Sequence, residues 1–94
     1  MKIFEENSGY FIGNVVYTRY SLLGPRWQEN LQLVYVYDGE MRVRIDDEDE
    51  YALKSGETTL LLPRHRERFW FGLEGPTRHG WCGVAKAILQ PWSL

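Results

Sequence analysis

The sequence predicts a small closed barrel or sandwich built of β-strands alone. Three observations lead there. Short apolar segments recur with turn signals about every 8–12 residues, some of them alternate apolar and polar side chains, and no long stretch carries a helical period. The 94 residues suffice for one domain with a single core. Aromatic residues make up 15% of the chain, including four Trp and six Tyr, which suits both strands and pocket walls.

Residues 1–9 read as an N-terminal arm ending at Ser8-Gly9, and residues 10–85 as the barrel. Tyr10–Tyr17 is an apolar, β-branched strand that Gly13-Asn14 weakens or bulges. Leu23-Gly24-Pro25-Arg26 reads as a turn. Leu31–Tyr37 is apolar at nearly every position, so the expectation is a strand covered on both faces. Asp38-Gly39 signals a tight hairpin into Met41–Ile45, where Met41, Val43 and Ile45 point inward and Arg42 and Arg44 into water.

The carboxylate run Asp46-Asp47-Glu48-Asp49-Glu50 lacks the ligand spacing and glycine of a calcium loop, and reads as a solvated hairpin tip. Tyr51-Ala52-Leu53 begins the next strand, Ser55-Gly56-Glu57 turns it, and Thr58–Leu62 runs to Pro63. Phe69-Trp70-Phe71-Gly72 and Gly80–Val84 are the last strands, with the turn Glu74-Gly75-Pro76 between them. Ala85–Leu89 could open a helix, which Pro91 would interrupt; residues 86–94 are a tail.

Several function classes fall away. No apolar run is long enough to cross a membrane, and the acidic start Phe4-Glu5-Glu6 does not resemble a signal peptide. Cys82 stands alone, so no intrachain disulfide forms and a reducing cytoplasm is the expected compartment. A net charge of −2 argues against direct nucleic-acid contact. His65 and His79 are the two histidines, and nothing marks Glu57 or Glu67 as a third ligand beside them. No metal or other cofactor is therefore expected. Cys82 and His79 would face opposite sides of a strand, which leaves Cys82 a small core residue rather than a nucleophile.

Two clusters remain. Arg64-His65-Arg66-Glu67-Arg68 is either an anion clamp or a charged loop entering the next strand, with Arg68 open as a pocket-lining residue. His79 and Trp81 share a strand face; together they offer one hydrogen-bonding group and one flat apolar surface, which fits a sugar or another polar small ligand. An ordinary core Trp beside a partly exposed His would give the same pattern.

The order of these features resembles the N-terminal ligand-binding and dimerisation domain of AraC-type transcriptional regulators, a cupin-type barrel (double-stranded β-helix or jelly-roll). The likeness covers roughly residues 10–85. It rests on Leu33-Val34-Tyr35-Val36-Tyr37-Asp38-Gly39-Glu40-Met41, Tyr51–Glu57, Thr59-Leu60-Leu61-Leu62-Pro63-Arg64-His65 and His79-Gly80-Trp81. Gly56-Glu57 stands where the family has Gly-Asp, and Pro63 alone remains of its Pro-Pro-Gly.

The resemblance implies an effector-binding domain that does no chemistry, taking a sugar or small polar metabolite and pairing as a homodimer. In the family's arabinose-responsive member, a His-x-Trp and a further aromatic contact the sugar, which fall here on His79, Trp81 and Trp70. An arginine of that site has its nearest counterpart in Arg26, at a different spacing, and residues 1–9 become a candidate lid. The family's linker helices and helix-turn-helix module would follow after Leu94, so the chain reads as a fragment of a longer regulator or a stand-alone relative. The competing readings are a metal-dependent cupin enzyme (an oxygenase or isomerase) and a ligand-free interaction module with a filled barrel.

Overall fold

The computed structural model describes residues 2–3 and 9–85. The strands are β1 (Lys2–Ile3), β2 (Tyr10–Tyr17), β3 (Ser21–Gln28), β4 (Leu31–Asp38), β5 (Glu40–Ile45), β6 (Tyr51–Lys54), β7 (Thr58–Leu61), β8 (His65–Phe71) and β9 (Thr77–Val84). They form a five-stranded sheet in the order β1-β2-β9-β4-β7 and a four-stranded sheet in the order β3-β8-β5-β6. All pairs are antiparallel. Among the described residues there is no helix, and hence none long and apolar enough to cross a membrane.

Alternation along the strands sends one side chain in two between the sheets. Val34, Val36 and Leu61 from one sheet meet Met41, Val43, Leu53, Phe69 and Phe71 from the other in a single core cluster. Burying each such side chain is worth about 1.5–3 kcal/mol, and this shared core is what holds the two sheets face to face. The expected all-β barrel is borne out.

Local expectations fare unevenly. Asp38-Gly39 does not close a hairpin. β4 pairs with β7 and β9 while β5 pairs with β6 and β8, so this turn carries the chain from one sheet to the other. Gly39 has φ +82°, and a Cβ there would stand 2.3 Å from the Pro76 carbonyl oxygen, so the glycine serves a tight crossing. The hairpin lies between β5 and β6, and the exposed run Asp46–Glu50 forms its tip.

β4 is covered on one face only: Gln32, Val34 and Val36 are buried, whereas Leu33 and Tyr37 are exposed. The outward rings pack on one another instead. Tyr35 and Tyr37 meet edge to face at 5.0 Å, and the Arg78 guanidinium sits 4.7 Å over the Tyr37 ring. Cys82 is likewise half-buried on this outer face, in register with Ile12 and Leu33, and not a core residue.

Gly13 marks no bulge, because β2 and β9 stay in register from Tyr10 to Tyr17. The expected turn at residues 23–26 is instead an irregularity inside β3. Leu23 pairs with Phe69 and Arg26 with Glu67, so β3 takes three steps where β8 takes two. A three-residue step normally reverses the face; this bulge cancels the reversal and leaves both Leu23 and Arg26 pointing inward.

Of the arm, Lys2–Ile3 pairs with Ile12–Gly13 and so extends the sheet edge. The remaining arm positions that bear on a lid, and the tail 86–94 with its candidate helix, lie outside the described residues.

Candidate functional site

Between the sheets lies a cavity of about 390 Å³. This is within the size range of small-molecule sites, about 300–1,000 Å³. Its apolar wall includes Phe11, Tyr17, Phe69, Phe71 and Trp81, and its polar lining includes Arg26, Gln28, Asn30, Gln32 and His79.

His79 and Trp81 come from β9, the central strand of the five-stranded sheet, and both line the cavity. Gly13 faces Trp81 across β2, where a Cβ would stand 2.5 Å from the indole Cζ2, so the missing side chain is what admits the ring. Gly13→Ala should therefore push the indole aside while the sheet persists. The expected loss is about 1–3 kcal/mol, with a shift in tryptophan emission that a merely peripheral site would not give.

His79 is 94% shielded and sits in a pile of rings. Its centroid lies 4.7 Å from Phe71, 5.4 Å from Trp81 and 5.9 Å from Tyr17, and Tyr17 stacks on Phe71 at 4.2 Å. Its Nδ1 has no hydrogen-bond partner among the described residues. Burial, with a lesser push from the Arg26 charge, lowers its pKa to about 4, so the imidazole is neutral at pH 7. A buried ring nitrogen without a partner, on a residue that lines a cavity, is an unusual feature that calls for an explanation.

Arg26 is brought to the cavity by the bulge in β3. Its Nε donates to Glu67 Oε1 at 3.2 Å, and its Cζ lies 5.3 Å over the Phe69 ring. The second oxygen of Glu67 accepts from Gln28 Nε2 at 3.0 Å. Glu67 is wholly buried behind these two donors and does not line the cavity. Burial pushes its pKa up, opposed by the Gln28 hydrogen bond and the Arg26 charge.

The sequence expectations for the site thus divide. His79, Trp81 and Arg26 are brought together on one cavity. Trp70 is not: along β8, Glu67, Phe69 and Phe71 turn inward, so Trp70 turns outward, in register with Leu22 and Arg42. Its neighbours Phe69 and Phe71 line the cavity instead. Arg68 also points outward, and the segment 65–68 is strand rather than loop. His65 is apart from the cavity and bonded to Asp46 at 2.6 Å; the Arg66 amide first, and then this histidine, hold the Asp46 carboxyl below its usual range.

Gln28 and Gln32 were missed, and Glu67 was weighed only as a metal ligand and as part of the charged cluster, not as the partner of Arg26. The signal was present in His65-Arg66-Glu67-Arg68-Phe69-Trp70-Phe71, whose two arginines alternate with the inward set once the strand is begun at His65. Gln32 alternates with Val34 and Val36 in the same way. Among the described residues no group of three His, Cys, Asp or Glu is gathered that could hold a metal ion.

The sequence profile of the AraC-like ligand binding domain matches residues 11–93. The chain belongs to that family. No curated protein matches the sequence. Among solved structures, this AraC-like domain is similar to a Methanocaldococcus jannaschii RmlC-like cupin protein with a double-stranded β-helix fold, at TM-score 0.77 and 11% identity, covering 87% of this chain and 75% of that one. It is also similar to the Cupin_2 domain of an XRE family transcriptional regulator from Enterobacter cloacae, at TM-score 0.66 and 12% identity over 86% of each chain. An oxalate oxidase in complex with the substrate analogue glycolate is a further match, at TM-score 0.69 and 17% identity over 84% of this chain and 43% of that one. At these identities the likeness speaks for the cupin fold, which carries both regulators and enzymes.

Proposed function

We propose that this AraC-like domain is the effector-binding and dimerisation part of a transcriptional regulator, taking a sugar or small polar metabolite without transforming it. One observation carries the reading. A buried imidazole with no hydrogen-bond partner on Nδ1 lies beside an indole on the wall of a cavity large enough for a ligand of that size. The indole supplies a face for a ring to stack on, and Arg26, Gln28, Gln32 and His79 supply donors and acceptors around it.

Pairing would use outer surface. Ile12, Cys82, Leu33 and Leu60 lie in one register row across four strands of the larger sheet, with Ile12, Leu33 and Leu60 exposed. Sedimentation of the wild type and of Leu33→Asp reads this directly.

The effector reading is tested by calorimetry against a panel of sugars and small polar metabolites. Trp81→Ala should weaken a ligand found in this way at least tenfold, about 1.4 kcal/mol, with the far-UV spectrum unchanged. Undiminished affinity in that variant would remove the cavity from consideration as the binding site.

A further inference from the structure

The geometry points to a carboxylate-bearing ligand, whose carboxylate would be held by the terminal nitrogens of Arg26 and whose ring would lie against Trp81. This deepens the effector reading and rests on it.

The charges around the cavity are distributed unevenly. Among the described residues that line it, Arg26 is the one charged side chain, and there is no carboxylate. Glu67 pairs with it from behind the wall through Nε, and both its oxygens are taken, by Arg26 Nε and Gln28 Nε2, so it is the outer edge of the guanidinium that is left to the cavity. The arginine is fixed at two points, Nε on Glu67 and Cζ over Phe69, while its Nη1 and Nη2 make no hydrogen bond to the described residues. A guanidinium anchored at Nε and free at its outer edge is pre-ordered to donate a parallel pair of hydrogen bonds, the geometry a carboxylate accepts.

The rest of the lining agrees. The remaining polar groups include the amides of Gln28 and Gln32 and the neutral imidazole of His79, all able to donate. Gln32 is buried, and its amide makes no hydrogen bond to the described residues. The aromatic wall of Tyr17, Phe69, Phe71 and Trp81 then receives the body of the acid, either a sugar ring or an arene.

Two matched pairs of probes test this on the intact chain by calorimetry at pH 7: D-glucuronate against D-glucose, and benzoate against benzyl alcohol. The expected result is that at least one acid binds at least tenfold more tightly than its uncharged counterpart. That preference should disappear in Arg26→Met/Glu67→Gln, which removes the cation and its buried partner together and so avoids stranding a charge. The pair that responds identifies the body as sugar or arene.

No preference for the acid in either pair overturns the carboxylate assignment and leaves the effector cavity standing. So does a preference that survives in the double variant. Silence from both acids also overturns it, and silence from the wider panel in addition would overturn the effector reading itself.

Discussion

Arg26→Met should lower the stability of the domain by about 3 kcal/mol at neutral pH, and by much less near pH 4. The large term is not the arginine, which is partly open to the cavity, but the carboxylate it leaves behind. Glu67 is wholly buried, and Arg26 Nε is its one charged donor, at 3.2 Å. Removing one member of a buried pair strands the other, at a cost of about 3–5 kcal/mol. The lower figure applies because Gln28 still donates at 3.0 Å and because Glu67 can take up a proton.

That escape sets the pH dependence. Burial already raises the Glu67 pKa, and loss of the arginine raises it further. As pH falls, protonation removes the stranded charge, so the difference between variant and wild type shrinks. Denaturant titration at several pH values measures it. Arg26→Met/Glu67→Gln should recover most of the loss, because neither charge then remains. A single variant as stable as the wild type at pH 7 would show that Glu67 does not depend on its ion pair.

The second large effect is a loss of about 3 kcal/mol as pH drops from about 6.5 to about 4, carried by His79 alone. In the unfolded chain this histidine takes a proton near its ordinary 6.5, whereas in the fold burial lowers that value to about 4. Between the two, the unfolded state binds more protons, so stability falls as pH falls; it is fully present above 6.5 and flat again below 4. The interval corresponds to about 3 kcal/mol.

Glu67 works in the opposite sense, since its raised pKa gives stability that is lost as pH rises through the folded value. The histidine is therefore isolated by difference. His79→Phe keeps a flat ring in the stack with Phe71 and Tyr17 but cannot titrate. Relative to this variant, the wild type should fall by the stated amount over the stated window. Parallel profiles would mean that His79 is solvated or paired in the fold.

What the sequence determined by itself was whatever depends on local backbone geometry. Alternation with period two placed His79 and Trp81 on one face, and the recurrent turn signals located most strands and the β class. An order of short segments also carried the resemblance to the AraC-like domain. Trp70 came from the resemblance and not from alternation, and β8 turns it outward between the inward Phe69 and Phe71.

The tertiary structure decided what depends on partners distant along the chain. Asp38-Gly39 announces a turn equally well within a sheet or between two, and only the pairing of β4 with β7 and β9 made it a crossing. Arg26 and Glu67 are 41 positions apart; they meet because a bulge in β3 adds one step against β8 and so cancels the change of face. Register between remote strands is fixed by the burial of many side chains at once. No single segment encodes it, and for that reason the pairing of Arg26 with Glu67 was hidden in the sequence while the shared face of His79 and Trp81 was legible.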